Sequence, residues 1–430
     1  MVTRFYRPRL CSALSSASVR LFQVVLLCCV GCFACGSIEA QEWPRFRGPN
    51  GSGIAEAEGI PSEWSEQDYQ WVAELPGVGN SSPVVWGDRI FITAADEKTQ
   101  KRSLVCLNLQ DGTERWRAES EFKLYKKHKN NSFASATPAV DGKHVYQLWH
   151  SKQQTSLIAF DHDGSEQWRS ELGPYLHGQG GATSPIVAED LVIVAHDHKD
   201  ESFLAAWDSV TGEQRWKIPR EGKRACYSTP CVRDAGKKQE LVFVHCYEGV
   251  SGVDLQTGTQ NWHVDPFGRE SQRALASPVV HGDLVIAGSG AVGGDRQIVA
   301  IEVAESAQGA MASEVYRIIR QSPHVPSPLI VGDRMYLWND GGICTCCELT
   351  SGDVVWQKRV GGSYFSSPIA IGDRIFSIDT TGEVVVIAAD DSFEILARNP
   401  MGQGSRASLA VAKDTLLIRT DGKLFAIRGE

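Results

Sequence analysis

The sequence predicts an all-β fold, an eight-bladed β-propeller that is closed by an N-terminal strand completing the last blade. Three observations lead to this prediction. A short Ser/Thr-Pro signature recurs every 40 to 55 residues, a glycine turn and a Trp-bearing strand follow most copies, and the two ends of the chain carry complementary parts of a blade. A repeat of this length built from short strands is typical of propellers.

The signature consists of a small or hydroxyl residue, a proline and then alternating apolar residues. In the eighth copy, which begins at Ser408, the proline is lost. The copies with proline begin at Ser82, Thr137, Ser184, Thr229, Ser277, Ser327 and Ser367. The period-two alternation predicts an inner strand at each copy, and Gly-Asp or Asp-Gly pairs after several copies predict tight turns into a second strand.

Each blade is expected to end in an outer strand that carries a large aromatic residue. Such a ring fills the wedge between neighbouring blades and buries about 150–250 Å². Tyr316 replaces Trp in one blade, and another blade has its outer strand near Ile395. The predicted structural tryptophans are Trp71, Trp116, Trp168, Trp216, Trp262 and Trp356.

The two chain ends complement each other. The last copy stops at Ile427 without a glycine turn or a Trp strand, whereas Tyr69 to Leu75 forms a Trp-bearing strand with no blade before it. Pairing this strand with the last blade would close the ring and hide both open sheet edges. We therefore assign residues 69–430 to the propeller.

The segment that precedes the propeller divides into two parts. Residues 1–40 combine several arginines with an apolar run over 21–34 and a small residue at Ala40, which predicts a cleaved signal peptide. A lipobox-like run ending at Cys35 and a retained N-terminal anchor are the alternatives. Residues 41–68 are rich in Gly and Pro and predict an irregular segment, whose aromatic residues Trp43 and Phe46 we expect to pack on the outside of the ring.

Composition excludes some classes of function. The formal net charge of −9 provides no global basic field for nucleic acid. Seven cysteines remain after the leader, an odd number without the spacing of a small disulfide framework. We expect an exported protein in the periplasm, the cell envelope or the medium, which meets a membrane only through a lipid anchor or an uncleaved leader.

Three motifs could indicate other chemistry. The Gly288-x-Gly290-x-x-Gly293 run precedes a predicted strand instead of the helix that a dinucleotide site requires, so we interpret it as a coincidence. Cys344, Cys346 and Cys347 could bind a metal, but they have no complementary C-x-x-C pair, and we interpret them as strand thiols. The His196-Asp197-His198 run could also bind a metal, and we interpret it as a polar loop.

The run from Trp207 to Trp216, with an acidic residue, a glycine and a closing Trp, resembles the tryptophan-docking repeat of quinoprotein alcohol dehydrogenases. The repeat is also similar to that of the propeller lipoprotein of the outer-membrane β-barrel assembly machinery, which binds no quinone. The resemblance covers residues 69–430 and implies the propeller fold. The dehydrogenases contain large insertions, and their catalytic and calcium-binding residues cannot be placed on this chain. They also place a vicinal Cys pair over the quinone, whereas Cys346-Cys347 lies inside a predicted strand. We therefore expect no cofactor, with pyrroloquinoline quinone and calcium as the alternative.

A basic mouth is the remaining functional signal. In a propeller, the connections from each outer strand to the next inner strand gather at one end of the channel. These connections, called the mouth loops below, span residues 72–80, 117–135, 169–182, 217–228, 263–275, 317–325, 357–365 and 397–407. They hold 18 Lys and Arg against 7 Asp and Glu. The candidate ligand-binding residues are His177, Arg224, Tyr227, Arg273, His324, Tyr364 and Arg406.

We interpret the mouth as a site for an anionic ligand or an acidic segment of an envelope protein, because a cleft lined by one sign of charge concentrates its field. The alternative is that these charges are solvated ends of outer strands. The predicted function is a non-catalytic binding or scaffold propeller outside the cytoplasm, without catalytic or metal-binding residues. The runner-up is a quinone-, sugar- or alcohol-directed enzyme that uses the same funnel.

Overall fold

The chain folds as a ring of small antiparallel sheets. The computed structural model describes residues 42–236, 238–268, 273–290, 296–307 and 309–429, so the predicted signal peptide lies outside the described residues. In the described ranges the strands form eight separate sheets. Helical structure there is limited to two 3-10 turns, Pro49–Gly51 and Glu66–Asp68. None of the helices in this part of the chain has the length and apolar character that a membrane span requires.

Two strands precede the first blade, β1 (Ile54–Ala55) and β2 (Tyr69–Glu74). Blades 1 to 4 contain β3 (Val84–Trp86), β4 (Arg89–Asp96), β5 (Lys101–Asn108) and β6 (Glu114–Glu121); β7 (Ala139–Val140), β8 (His144–Trp149), β9 (Thr155–Asp161) and β10 (Glu166–Gly173); β11 (Ile186–Ala188), β12 (Leu191–His196), β13 (Ser202–Asp208) and β14 (Gln214–Arg220); β15 (Cys231–Ala235), β16 (Lys238–His245), β17 (Gly249–Asp254) and β18 (Gln260–Val264).

Blades 5 to 8 contain β19 (Val279–His281), β20 (Leu284–Gly290), β21 (Arg296–Ser306) and β22 (Gly309–Ile318); β23 (Leu329–Val331), β24 (Arg334–Trp338), β25 (Ile343–Glu348) and β26 (Val354–Arg359); β27 (Ile369–Ile371), β28 (Arg374–Ile378), β29 (Glu383–Ala388) and β30 (Ile395–Pro400); β31 (Ala410–Ala412), β32 (Thr415–Arg419) and β33 (Lys423–Arg428). Within each blade, strands that are adjacent in the chain pair as antiparallel neighbours. The predicted eight-bladed propeller is therefore confirmed.

The hydroxyl of the Ser/Thr-Pro signature links one blade to the next. The backbone N–H of Ser82 donates to Thr137 Oγ1 at 3.0 Å, and the N–H of Thr137 donates to Ser184 Oγ at 2.9 Å. Equivalent bonds join Thr229 to Ser277, Ser277 to Ser327, Ser327 to Ser367 and Ser367 to Ser408. Because these groups are buried, each hydroxyl satisfies a backbone donor that would otherwise lack a partner. This role explains why the signature begins with Ser or Thr.

The outer-strand aromatic residues form a second set of links between blades. Trp168 of blade 2 lies over Gly212 in the outer turn of blade 3, and its indole N–H donates to the Ser209 carbonyl at 3.0 Å. A Cβ on Gly212 would lie 2.6 Å from the Trp168 ring, so the glycine makes room for it. The same indole or phenol bond to the next blade is made by Trp71, Trp116, Trp216, Tyr316 and Trp356.

Trp262 departs from this arrangement. Its indole N–H donates to the Glu240 carboxylate within its own blade at 2.9 Å, and Glu240 is paired with the buried Arg233. The next blade has no glycine turn of the usual form, because β21 and β22 extend into a long hairpin. The indole therefore bonds within blade 4, where Gly252 leaves room for the ring, while the ring belongs to the buried cluster that blades 4 and 5 share.

The ring closes as the sequence predicts. Strand β2 pairs antiparallel with β33, with Trp71 opposite Ala426 and Val72 opposite Phe425. Trp71 also reaches forward to blade 1, where its indole donates to the Leu109 carbonyl at 2.9 Å. The first strand of the propeller thus serves as the outer strand of the last blade.

The first part of the segment before β2, residues 43–55, lies inside the ring, and the expectation that Trp43 and Phe46 pack outside is wrong. The rest contacts blades 7 and 8, where the backbone N–H of Trp64 donates to Asn399 on the outer strand β30. Trp43 is fully buried and pairs with Val85 of blade 1. The guanidinium groups of Arg45 and Arg47 donate to carbonyls of prolines in the signature. Strand β1 adds to β27 in parallel. The physical reason is that the inner strands present backbone carbonyls and apolar side chains to the channel. The segment supplies donors for the carbonyls and apolar groups that cover the side chains.

Replacing Trp71 with Ala tests the closure. We expect it to lower the free energy of unfolding by about 3–5 kcal/mol, because it removes a buried ring and an inter-blade hydrogen bond. Val72→Ala on the same strand is the control, since Val72 is 42% exposed and its loss should cost less than about 0.5 kcal/mol. Denaturant unfolding, followed by far-UV circular dichroism instead of tryptophan fluorescence, measures the free energy of unfolding of both variants. Equal effects of the two substitutions would contradict the closure.

Candidate functional site

A pocket of about 450 Å³ lies at the predicted mouth of the channel. Its wall consists of residues from all the mouth loops and the first residues of the inner strands. Phe46 of the inserted N-terminal segment contributes to its floor. The pocket is therefore a cup at one end of the ring, with the N-terminal segment beneath it.

Four of the candidate residues line this pocket, namely Tyr227, Arg273, His324 and Arg406. The structure brings them together from four different mouth loops, as the blade geometry predicts. His177 lies at the edge of the group, with its Nδ1 3.5 Å from the Tyr227 hydroxyl. The Tyr227 hydroxyl donates to the Gly180 carbonyl at 2.7 Å, which fixes the ring in the wall.

Tyr364 and Arg224 do not line the pocket. Tyr364 is fully buried, and its ring packs edge-on against Trp338 with 5.2 Å between the centroids. The prediction failed for Tyr364 because an aromatic residue next to an inner strand can turn into the gap between blades, where it buries more apolar surface. Its neighbour Phe365 lines the pocket instead.

Two charged residues of the pocket were missed from the sequence, Arg296 and Asp340. They form an ion pair at 3.1 Å, and Asp340 also accepts the backbone N–H of His324 at 2.8 Å. Asp340 lies in the turn between the second and third strands of its blade, and Arg296 begins the third strand of its blade, directly after the corresponding connection. Because antiparallel strands alternate in direction, these turns end at the same face as the mouth loops. That rule, applied to the sequence, would have found them.

The charge of the pocket is carried by arginine. Among the described residues, Arg273, Arg296 and Arg406 line it together with a single carboxylate, Asp340. Burial, and to a smaller extent the charge of the neighbouring Arg273, lowers the pKa of His177 to about 4. Burial also lowers the pKa of His324. The imidazoles of His177 and His324 are therefore neutral at pH 7, and the guanidinium groups supply positive charge to the pocket.

The rest of the lining combines fixed amides with apolar groups. The Asn131 side chain donates to the Gln179 carbonyl at 2.8 Å, and the Asn80 side chain donates to the Asn130 carbonyl at 3.0 Å. The apolar lining residues are Phe46, Leu275, Val325 and Phe365. Amides held in place beside apolar surface can bind both the backbone and the side chains of an extended peptide.

Beneath the same face, blades 2 and 3 contain a buried cluster of histidines. His196 and His198 are almost fully buried, with ring centroids 4.6 Å apart, and both pack against Tyr175. Asp197 forms an ion pair with Arg220, with 3.0 Å between Oδ1 and Nε. The run lies at the end of β12 and in the loop after it, as interpreted from the sequence, and the pairing with Arg220 and the aromatic contacts allow this polar loop to be buried.

The other motifs adopt ordinary strand structure. Cys346 and Cys347 are buried in β25 and belong to two different hydrophobic clusters, as consecutive strand residues must. Gly288 and Gly290 lie in β20, and β21 follows after residues 291–295, which are outside the described residues. Among the described residues, no helix begins there to hold a pyrophosphate.

The pocket does not fit a calcium-bound quinone. Ca²⁺ takes six to eight oxygen ligands, several of them carboxylates. In the part of the lining that the structure describes, Asp340 is the single carboxylate, and Arg296 and the backbone N–H of His324 already engage it. The vicinal cysteines Cys346 and Cys347 do not line the pocket.

Comparisons with known proteins agree with the propeller fold. The family model described as outer membrane protein assembly factor BamB matches residues 100–315, 155–395 and 317–430. A protein of that name from Shewanella oneidensis is 22% identical over 300 residues, which cover 66% of this chain and 72% of that protein.

Two solved structures share the fold. BamB from Moraxella catarrhalis has a TM-score of 0.59 and 16% identity, covering 83% of this chain and 97% of that one. The quinohemoprotein alcohol dehydrogenase from Comamonas testosteroni has a TM-score of 0.62 and 11% identity, covering 90% of this chain and 80% of that one. At these identities the likeness concerns the fold alone.

The buried histidines should make the protein sensitive to acid. Burial lowers the pKa of His196 to about 3, whereas an unfolded histidine has a pKa of about 6.5. Below pH 6.5 the unfolded chain therefore binds a proton that native His196 does not, and the free energy of unfolding falls as the pH drops towards 3. At pH 5 this loss is about 2 kcal/mol for His196 alone.

We expect His196→Gln to reduce the steepness of this pH dependence between pH 6.5 and 5, measured by urea unfolding across the interval. His281→Gln, at an exposed position, is the matched control and should leave the slope unchanged. An unaltered slope in the His196 variant would show that this residue does not contribute to acid sensitivity.

Proposed function

This chain belongs to the family of the outer membrane protein assembly factor BamB, and on that premise we propose that it is a non-catalytic binding propeller of the cell envelope that holds an acidic protein segment in its mouth pocket. The observation that carries the proposal is the convergence of Arg273, Arg296 and Arg406 on one cup-shaped pocket. The chain as a whole is acidic, so this convergence is local.

The arginines differ in how far their charge is already compensated. Arg296 is paired with Asp340 at 3.1 Å, and Arg406 lies 3.8 Å from Asp421, which is half exposed. Among the described residues, no carboxylate lies within ion-pair distance of the Arg273 side chain. A carboxylate entering the pocket would therefore meet Arg273 first and Arg406 second. Guanidinium groups bind carboxylates through two parallel hydrogen bonds, which gives both strength and orientation.

The remaining lining supports a peptide as the source of that carboxylate. Asn80 and Asn131 have side-chain amides that hydrogen bonds hold in position, and Phe46 and Phe365 offer aromatic surface. A small inorganic anion would leave the aromatic surface uncovered, whereas an acidic segment with an apolar residue would use both. In the family context the partner is an envelope protein, and the family description supports a place in the assembly of outer-membrane proteins.

The double variant Arg273→Gln/Arg406→Gln tests the site. The probe is a fluorescein-labelled decapeptide of alternating Glu and Phe, measured by fluorescence polarisation. We expect the wild-type protein to bind it and the double variant to bind at least about tenfold more weakly, since each charge-assisted hydrogen bond contributes about 1.5–3 kcal/mol. Wild-type binding should also weaken as salt rises from 50 to 300 mM, because ions screen the contact.

Two controls accompany this measurement. The variant Arg215→Gln removes an arginine from an outer strand, where it pairs with Asp208, and should bind the peptide like the wild type. A decapeptide with Gln in place of Glu should bind weakly to every variant. Equal binding of the acidic and the Gln peptide, or unchanged binding by the double variant, would overturn the proposal.

A further inference from the structure

A cluster of soft metal ligands lies behind the wall of the mouth pocket. Ligand atoms of Cys226, His245 and Cys246 all lie within 4.8 Å of one another, and all three residues are almost fully buried. Cys226 belongs to the mouth loop between β14 and β15, whereas His245 ends β16 and Cys246 begins the turn after it. Because Cys246 lies in the turn, its side chain is not forced to the face opposite His245.

The imidazole of His245 has an unused binding position. Its Nε2 atom is buried and has no hydrogen-bond partner among the described residues. On the other side of the ring, Nδ1 lies 3.3 Å from the backbone nitrogen of Tyr247 and 4.0 Å from the Glu248 carboxylate. When Nε2 binds a metal, the ring proton is on Nδ1, where this carboxylate stabilises it. A buried nitrogen without a partner is costly in a folded protein, and a metal ion would satisfy it. This observation is independent of the cysteines.

The surroundings are balanced in charge. Asp197 and Arg220 form a buried ion pair beside the cluster, and Asp197 Oδ1 lies 3.9 Å from His245 Nε2. A divalent cation bound by two thiolates and a neutral imidazole would also carry no net charge. The complete group would therefore place no uncompensated charge in the interior, which is the condition for a stable buried site.

We propose that Cys226, His245 and Cys246 bind a Zn²⁺ ion through two thiolates and an imidazole, with an oxygen ligand in the fourth position. Two thiols and an imidazole from one compact cluster are a ligand set that zinc prefers. On binding, the two thiol protons are released to solvent, and no oxidation or reduction takes place. Asp197 is held by Arg220 and is placed to support the oxygen position.

The ion would join the pocket wall to the blade behind it. Cys226 is followed directly by Tyr227, whose side chain lines the mouth pocket, while His245 and Cys246 belong to the second strand and turn of blade 4. A metal bond between them would fix the mouth loop over residues 221–228 to the body of the blade. The site thus has a structural role that does not depend on which ligand the pocket binds.

The experiment uses the exported protein, purified without chelator from cells supplied with zinc. Metal analysis by mass spectrometry should find zinc in stoichiometric amount. Exchange with Co²⁺ should give the intense visible absorption of a tetrahedral site and a thiolate-to-metal charge-transfer band. Cys226→Ser, Cys246→Ser and His245→Gln should each lose the metal and both absorption features.

Controls separate the site from general effects on folding. Cys344→Ser, which removes another fully buried thiol, should keep the full metal content. In the wild type, the metal should protect Cys226 and Cys246 from an alkylating reagent under native conditions until a strong chelator is added, as read by peptide mass spectrometry. This measurement needs no variant, so it remains decisive if a substitution prevents folding.

Three results would overturn the proposal: wild-type protein without bound zinc or cobalt, a Cys226–Cys246 disulfide in the peptide map, or a Cys344 variant that loses the metal while the Cys226 variant keeps it. Failure of the acidic-peptide binding test would leave the metal site intact, since that test depends on Arg273 and Arg406.

Discussion

The pairing of β2 with β33 is the constraint on which the rest of the structure depends. Each blade buries its two faces only against its neighbours, so a ring with one gap would expose two apolar faces and two sheet edges at once. The antiparallel register from Tyr69 to Glu74 closes that gap, and Trp71 extends the connection to blade 1. The shape of the channel, the arrangement of the mouth loops and the position of the pocket all follow from this closure.

Inside the ring, the Ser/Thr-Pro signature has two separate structural roles. Its hydroxyls join neighbouring blades, as between Thr137 and Ser184, whereas its prolines contribute carbonyls that face the channel. The N-terminal segment uses those carbonyls: Arg47 donates to the Pro328 carbonyl at 2.8 Å and to the Ser52 carbonyl at 3.2 Å. Burial lowers the pKa of Arg47 to about 9. Among the described residues, no carboxylate lies beside this guanidinium, and the backbone carbonyls hold it in place. The floor of the mouth pocket is built on this arrangement.

The sequence predicted those parts of the structure that repeat. Blade number, closure and the outer tryptophans follow from periodicity, because the same packing problem recurs at every blade and selects the same residues. The inserted N-terminal segment occurs once, and nothing in its Gly- and Pro-rich composition distinguishes inside from outside. Tyr364 was misplaced for a related reason, since the direction of one side chain depends on the local gap between blades. Arg296 and His245 were missed because they border the connections between second and third strands, which sequence spacing alone does not associate with the mouth loops.

The inserted N-terminal segment also has a consequence for how the protein is made. Arg47 approaches the Pro368 carbonyl, 321 residues further along the chain, and β2 pairs with the last strand. During synthesis this segment and β2 emerge before their partners, which emerge last. Contacts so distant in sequence make folding slow, so the ring cannot close before synthesis ends. Until then an incomplete ring exposes open sheet edges, the kind of surface that makes a folding intermediate prone to aggregation.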